Sequence, residues 1–317
     1  MSKKIISYLI GLMLIVLSLY LVIQQEKYNS LLNQITYYEF FISILITLII
    51  FFFTGLQISY LTKTQYNNSL KLEDYFLLPI MMHLWSYIIP FRGGLIFSSI
   101  FLNQKYKLKL SQGISIGFYT FFISLILTGI YGLYFSLENH SLVLFVISIF
   151  LLTCPLFIFL TNFLLKKFNF RNNLLDRLKI FIENIFNNIS SFFNQWRTNF
   201  IVFAIIFSSI IAYILWFYYA SYALGLKNSF SQIIMVALIT RLSVIARIIP
   251  GNLGIQELFS GGALELAGGS LADGIIISLF IRLSALIIAI SLGILGMFVN
   301  RKYLNYQELK YQLSFNK

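Results

Sequence analysis

The chain has 317 residues, of which 59% are hydrophobic and 11% are charged. With a mean hydropathy of +0.83, this composition excludes a water-soluble domain and predicts an all-α polytopic membrane protein. The formal net charge of +12 does not predict nucleic-acid binding, because the basic residues are spread over separate loops, where they face the anionic inner leaflet.

Six apolar stretches are long enough to cross about 30 Å of hydrocarbon at roughly 1.5 Å per residue. The first follows two lysines and lacks a small-residue cleavage pattern, so it is predicted to be a retained span and not a signal peptide. Two further apolar regions are each interrupted near the middle, which predicts re-entrant helical hairpins. The predicted spans are 5–23, 40–61, 113–135, 141–165, 199–224 and 274–300, and the hairpins are 75–102 and 230–268.

The placement of lysine and arginine predicts the topology, because basic residues collect in short cytoplasmic loops. Both termini and the basic stretch 166–197 are predicted to be cytoplasmic. The first hairpin then opens inward and precedes an outward span, whereas the second opens outward and precedes an inward span. This predicts one membrane domain, residues 1–317, with an inverted repeat whose units lie at about 75–135 and 230–300, as in alternating-access carriers.

A short phrase occurs once in each hairpin, as IIPFRGGL at 88–95 and IIPGNLGI at 248–255. Proline removes a helical hydrogen bond, and the break frees backbone groups that hydrocarbon cannot satisfy. Matching breaks in two halves of a transporter point to a substrate site near the midplane. The span after each hairpin also starts alike, LSQGISI from Leu110 and LADGIII from Leu271, one residue out of step. Chance similarity between Ile- and Gly-rich segments is the alternative to a repeat.

Four arginines lie within the apolar regions: Arg92, Arg241, Arg247 and Arg282. Each costs about 3 kcal/mol at a helix centre, so each needs an explanation. Internal ion pairing, in which Arg282 or Arg247 meets Glu257 or Glu265, is one explanation. The other is that the arginines bind an anionic head group, because a planar guanidinium donates two parallel hydrogen bonds to phosphate. Arg241 is instead expected to reach the outer interface.

Together these features predict a polar cavity where the two hairpin tips meet. We expect Arg92, Arg247 and Arg282 to contact phosphate, and Glu257 to orient an arginine or bind a coupling cation. Asn252 is expected to add a neutral hydrogen bond. Small residues at the breaks permit close approach of the backbone. The remaining predicted contacts are Gly93, Gly94, Pro250, Gly251 and Gly254.

Signatures of enzymes are missing from the sequence, which has no HExxH, GxSxG or GxxxxGKS motif and no paired aspartates for Mg²⁺. His83 is expected to be a packed residue and not a proton relay, and Glu73 and Asp74 are expected to pair with Lys71. We therefore expect no enzymatic activity, no cofactor and no metal. Without a nucleotide-binding motif, the chain alone is not expected to pump with ATP.

The phrase PGNLGIQE at 250–257, with a single arginine, Arg282, in the span that follows, resembles a known family signature, Pro-Gly-x-x-Gly-x-x-Glu. This signature belongs to the flippase-like membrane proteins related to the N-terminal membrane domain of lysylphosphatidylglycerol synthase. PFRGG at 90–94 resembles the same family, and the resemblance covers most of the chain. Two positions depart from it: Leu95 replaces a glutamate, and 118–122 lacks the charged residues usual there.

The resemblance implies transfer of an anionic phospholipid or a polyprenyl-linked lipid head group between the leaflets of a bacterial inner membrane. Shorter relatives are often associated with cell-envelope glycan or polyprenyl-linked lipid pathways. The second hypothesis is therefore a non-transporting accessory subunit of a membrane-bound glycosyltransferase or lipid-modifying enzyme. The lipid, the direction, the energy source and any homo-oligomer stay open.

The stretch 166–197 is too short to hold an aminoacyl-transfer domain. Its apolar residues recur at near-helical spacing, and basic residues lie at its start. This pattern predicts an amphipathic helix at the cytoplasmic, anionic leaflet.

Overall fold

The computed structural model describes residues 36–90, 92–138, 145–153, 173–243 and 249–303, with single residues between 13 and 20 and at 142. Within these ranges the regular secondary structure is helical throughout, with no strand. An α-helix satisfies its backbone hydrogen bonds within its own segment, which is what a bilayer requires of a spanning element. The predicted all-α class is confirmed for this part of the chain.

The helices are, in chain order, α1 (Tyr37–Tyr66), α2 (Leu72–Ile88), α3 (Gly93–Tyr106), α4 (Leu110–Glu138), α5 (Asn173–Phe193), α6 (Trp196–Ala223), α7 (Phe230–Leu242), α8 (Ile255–Leu266) and α9 (Leu271–Val299). Among the described residues, α1, α4, α6 and α9 are the helices long and apolar enough to cross a membrane. Each coincides with a predicted span, and those four predictions are confirmed as apolar helices of spanning length.

The other two predicted spans fall largely outside the described residues. In the span 5–23 the structure describes only a few helical residues. In the span 141–165 it describes residue 142 and the helical stretch 145–153. The total of six spans therefore stays a prediction.

The two interrupted regions form antiparallel helix pairs. The start of α2 meets the end of α3, where Asn68 Nδ2 donates to the Tyr106 carbonyl and the Tyr106 hydroxyl donates to Asp74. The start of α7 meets the end of α8, where Gln232 Nε2 donates to the Ala267 carbonyl at 3.0 Å. These arms of 12 to 17 residues are about 18–26 Å long, less than the roughly 30 Å core. Such lengths suit re-entrant hairpins, although the path through the bilayer stays a prediction.

A glycine in the helix after each hairpin lies against the hairpin's return arm. A Cβ added to Gly113 of α4 would be 2.7 Å from the Cα of Ser99 in α3. A Cβ added to Gly274 of α9 would be 2.8 Å from the Cα of Gly261, next to Ser260 in α8. The two glycines occupy the same place in LSQGISI and LADGIII, and the same offset aligns Ser99 with Ser260. This correspondence supports the predicted repeat, while the inverted arrangement stays a prediction.

We expect Gly274→Ala to lower the free energy of unfolding by about 1–3 kcal/mol, because the new methyl group must displace backbone atoms of α8. Denaturant titration of the purified protein in detergent measures this change. Gly262→Ala is the matched control, since an added Cβ there has nothing within 4 Å. Equal stability of the two variants would show that the α8–α9 crossing is looser than described.

By their contacts, the residues form two compact units, each made of several segments. The first comprises Met1–Phe52, Ile80–Gly94 and Ser208–Ile294, and the second comprises Phe53–Pro79, Leu95–Phe207 and Leu295–Lys317. Both breaks belong to the first unit. The single membrane domain predicted from the sequence stays a prediction.

In the first unit, a buried polar chain positions α9. Trp216 Nε1 of α6 donates to Ser43 Oγ of α1 at 2.9 Å, and that hydroxyl donates to Ser284 Oγ of α9 at 3.0 Å. An apolar cluster from α1, α2 and α9 lies next to it: Phe51, Ile80 and Ile288, with Ile44, Leu48 and Leu292. Because Ser284 is two residues from Arg282, these contacts fix the part of α9 that carries the arginine.

In the second unit, α5 has the amphipathic pattern predicted for 166–197. Its side chains Ile185, Ile189 and Phe192 are buried, and Ser115 Oγ of α4 donates to the Ile185 carbonyl at 3.2 Å. The apolar face of α5 therefore packs against α4. Residues 166–172 lie outside the described residues, and the position of α5 at the cytoplasmic leaflet stays a prediction.

Candidate functional site

The first break separates α2 from α3. Arg92 has a left-handed backbone with a φ of 61°, and α3 begins at the next residue, Gly93. A Cβ added to Gly93 would lie 2.5 Å from Ile89 Cβ and 2.8 Å from the Trp85 carbonyl oxygen. Glycine therefore lets α3 start directly against the end of α2.

The second break is a short 3₁₀ turn at Pro250–Asn252. Gly251, Asn252 and Gly254 all have positive φ angles, of 62°, 56° and 78°. Asn252 stands at the same place in its phrase as Arg92 does in the first, and both backbones are left-handed. The two breaks thus share a conformation at this position as well as a sequence pattern.

Asn252 ties the second break to the end of α7. Its Nδ2 donates to the Ser243 carbonyl at 3.0 Å and to Ser243 Oγ at 2.8 Å. Its Oδ1 is buried and has no hydrogen-bond partner among the described residues. The predicted neutral hydrogen bond to a substrate stays a prediction, with this oxygen as the atom available for it.

Arg282 of α9 holds the shape of the second break. Its Nη1 donates to the Gly251 carbonyl at 2.9 Å, and its Nη2 donates to the Asn252 carbonyl at 3.1 Å and to Gln256 Oε1 at 3.3 Å. A Pro-Gly turn within the bilayer leaves carbonyl oxygens outside any helix. The guanidinium supplies the donors that these oxygens require.

Arg282 also forms a buried ion pair with Glu257 of α8. Its Nε lies 2.5 Å from Glu257 Oε1, and the two side chains are 8% and 0% exposed. The contact is an ion pair without hydrogen-bond alignment, and Glu257 Oε2 has no hydrogen-bond partner in the described part of the chain. The ion pairing expected for Arg282 is therefore present, whereas Glu265 is exposed on α8.

Two buried serines lie one helical turn from the members of this pair. Ser260 follows Glu257 on α8, and Ser278 precedes Arg282 on α9. Both hydroxyl oxygens are buried and lack hydrogen-bond partners within the described ranges. Because α8 and α9 cross closely at Ser260 and Gly274, Ser278 lies on α9 between that crossing and the ion pair.

Both breaks line one small polar cavity. The first hairpin contributes His83, Tyr87 and Arg92, and the second break contributes Gly251 and Asn252. Its volume is about 30 Å³, which is room for about two water molecules. A shared polar cavity is what the sequence predicts, but a lipid head group does not fit without movement of the hairpins.

Three further residues of the sequence prediction are Arg247, Arg241 and His83. Arg247 lies outside the described residues, so its contact with phosphate stays a prediction. Arg241 stacks on Tyr213 of α6, with its Cζ 5.3 Å from the ring centroid. His83 packs against the rings of Phe51 and Tyr87, each with centroids 5.2 Å away, as expected of a packed histidine.

A buried lysine in the second unit was missed by sequence reasoning. Lys105 Nζ lies 2.8 Å from Asp74 Oδ2 and donates to Asn300 Oδ1 at 2.8 Å. Lys71, which was expected to pair with Glu73 and Asp74, instead donates its backbone N–H to the Tyr106 hydroxyl at 2.8 Å. A hairpin folded at the first break brings the start of α2 beside the end of α3. The predicted hairpin was therefore the signal in the sequence that could have revealed this cluster.

The sequence model of one protein family, the lysylphosphatidylglycerol synthase TM region, matches residues 5–293. This range contains both breaks, Glu257 and Arg282. No curated protein and no solved structure shows a significant match to the chain. In the described part of the chain, no group of three or more His, Cys, Asp and Glu side chains is placed to hold a metal ion.

Proposed function

This chain belongs to the lysylphosphatidylglycerol synthase TM-region family, and from that premise we propose that it moves an anionic lipid head group between the leaflets of the bacterial inner membrane. The substrate class is an anionic phospholipid or a polyprenyl-phosphate lipid. The observation that carries the proposal is the polar cavity lined by both helix breaks. Broken helices at membrane depth are characteristic of substrate sites in carriers. The proposal assigns no chemical reaction to the chain.

Arg92 is the residue to which we assign the first contact with phosphate. It lines the cavity directly, and its guanidinium matches two phosphate oxygens at once. Arg282 donates to the carbonyls of the second break and is paired with Glu257. It can contact phosphate only after releasing one of these partners.

The size of the cavity requires a conformational change during transport. The cavity has room for about two water molecules, which is less than a lipid head group needs, so it must widen for a head group to enter. Separation of the two hairpins on one side, and then on the other, gives the access that an alternating carrier needs. Short arms joined by glycine-containing breaks are suited to such rigid-body movement.

We expect Arg92→Gln to slow leaflet exchange of phosphatidylglycerol by about ten- to a hundredfold, because a charge-assisted hydrogen bond contributes about 1.5–3 kcal/mol. The measurement uses purified protein in phosphatidylcholine vesicles with fluorescent phosphatidylglycerol, whose outer-leaflet fraction is bleached by dithionite. Arg301→Gln, at an exposed arginine, is the matched control. Exchange by Arg92→Gln at the wild-type rate would reject the site. No exchange of phosphatidylglycerol or polyprenyl phosphate by folded wild type would reject the function.

The small cavity also favours one alternative, an accessory subunit of a membrane-bound glycosyltransferase or lipid-modifying enzyme. A cavity of about 30 Å³ needs no enlargement if the chain moves no lipid. Co-purification with such an enzyme, together with no lipid exchange by either protein, is the result that this alternative predicts.

A further inference from the structure

We propose that lipid movement is coupled to protons through the Arg282–Glu257 pair: the substrate phosphate replaces Glu257 on Arg282, and Glu257 then binds one proton. This inference rests on the proposed function and supplies its energy source. It makes the chain a symporter of one anionic lipid and one proton.

The hydrogen bonds of Arg282 define where a phosphate can attach. Its Nη1 and Nη2 are held by the Gly251 and Asn252 carbonyls, while its Nε faces Glu257 at 2.5 Å. The Nε contact lacks hydrogen-bond alignment. Displacing the carboxylate therefore costs the guanidinium no aligned hydrogen bond, and phosphate and carboxylate compete for the same edge.

The burial of Glu257 explains why a proton follows. Its side chain is 0% exposed, and a buried carboxylate that loses its cation is left as an isolated charge in a low-dielectric site. Binding a proton removes that charge. Either carboxylate oxygen can receive it, because neither has a hydrogen-bond partner among the described residues.

The neighbouring serines fit the protonated form of Glu257. A neutral carboxyl group donates one hydrogen bond through its O–H. Ser260 and Ser278 lie one turn away along α8 and α9 and offer buried hydroxyl oxygens that are unpartnered within the described ranges. A serine hydroxyl accepts the hydrogen bond that a protonated carboxyl group donates, and it can also donate to the carboxylate, so the two serines accommodate both forms of Glu257.

The exchange keeps the charge of the site constant. The phosphate brings one negative charge and the proton one positive charge, while Arg282 is paired in both states. The proton comes from water on the side where the lipid is loaded, and it leaves with the lipid on the other side. No step then carries an unpaired charge through the hydrocarbon, which is the costly alternative.

The other ionisable groups that the structure describes on the helices around α8 are placed elsewhere. Arg241 at the end of α7 stacks on Tyr213, and His83 of α2 lies between aromatic rings. Glu265 is exposed two turns along α8, and Asp273 lies in the first turn of α9. In the described part of the chain, Arg282 is the cation in ion-pair contact with Glu257.

Proton uptake on lipid binding tests the inference without requiring transport. Dihexanoylphosphatidylglycerol is added to the intact protein in weakly buffered detergent solution containing a pH indicator. We expect wild type to take up as much as one proton for each lipid bound, and Glu257→Gln to take up none. Glu265→Gln, an exposed acid on the same helix, is the matched control and should behave as wild type.

Exchange in vesicles gives the second measurement. Because one proton binds with each lipid, we expect the wild-type exchange rate to fall as the pH rises, by no more than about tenfold for each unit of pH. Glu257→Gln should lose this dependence, since its amide does not titrate.

The outcomes distinguish failure of the proton coupling from failure of the proposed lipid transport. Lipid binding without proton uptake in wild type, or equal uptake by Glu257→Gln, overturns the coupling and leaves the flippase proposal standing. No binding and no exchange by folded wild type overturns both. If Glu257→Gln does not fold, the wild-type proton uptake still decides the coupling.

Discussion

Replacing Arg282 with methionine is expected to lower the free energy of unfolding by about 3–5 kcal/mol and to stop lipid exchange. The change leaves Glu257, which is 0% exposed, as an unpaired charge, and such losses from buried pairs are of this size. It also removes the hydrogen bonds to the Gly251 and Asn252 carbonyls, so the second break loses the donors that hold it. Denaturant titration of the purified protein in detergent measures the loss.

The double variant Arg282→Met with Glu257→Gln distinguishes the cost of the unpaired buried acid from the cost of losing the hydrogen bonds to the second break. Neutralising the stranded acid should recover much of the lost stability, because a buried pair replaced on both sides is often tolerated. Lipid exchange should not recover, since neither the cation nor the titrating group is restored. If the stability losses of the two single variants add in the double variant, or if Arg282→Met alone is as stable as wild type, the two side chains do not form the buried pair described above.

Lys105→Met is expected to cost about 3–5 kcal/mol in the free energy of unfolding. The lysine side chain is 4% exposed and that of Asp74 is 0% exposed, so the acid is stranded when its cation is removed. We expect hydrogen exchange to rise at the start of α2 and the end of α3, which this cluster joins. Lys109→Met, at an exposed lysine, is the control and should stay within about 0.5 kcal/mol of wild type.

Adding Asp74→Asn to Lys105→Met should restore part of that stability. The asparagine carries no charge and still accepts the hydrogen bond that the Tyr106 hydroxyl donates to residue 74. If Lys105→Met alone falls within the range of the Lys109→Met control, then this cluster does not hold the hairpin closed.

The features that sequence reasoning found are local ones. A span such as α1 follows from the length of an apolar run, and the breaks follow from proline and glycine at 90–94 and 250–254, whose effects act on the adjacent backbone. The family resemblance rests on the same short phrases, and the family match confirms it. For this reason the limits of the four long apolar helices and the places of the two breaks could be predicted closely.

The features that it missed depend on contacts distant in sequence. Lys105 of α3 meets Asp74 of α2 and Asn300, the residue after α9, and no spacing along one segment specifies these contacts. Sequence reasoning also did not find that the guanidinium of Arg241 stacks on the ring of Tyr213 from α6, while the expected position of Arg241 at the outer interface stays a prediction.

Arg282 shows the same limit at the site itself. Its sequence context indicated either an acid or a phosphate as the partner. The contacts with the Gly251 and Asn252 carbonyls could not be foreseen, because they depend on where α9 places Arg282. That position is fixed in part by the hydrogen bond between Ser43 of α1 and Ser284 of α9.

Reversible locking of the cavity tests most directly whether lipid passes between the two breaks. Ser86→Cys and Ile249→Cys place one thiol on each side of the cavity, in a chain whose own Cys154 is replaced by serine, and a short reducible thiol reagent bridges them. Phosphatidylglycerol exchange is measured before bridging, after it, and after reduction, with each single-cysteine variant as a control. We expect bridging to stop exchange and reduction to restore it. Unchanged exchange with the bridge verified by mass spectrometry would show that lipid does not pass between the two breaks.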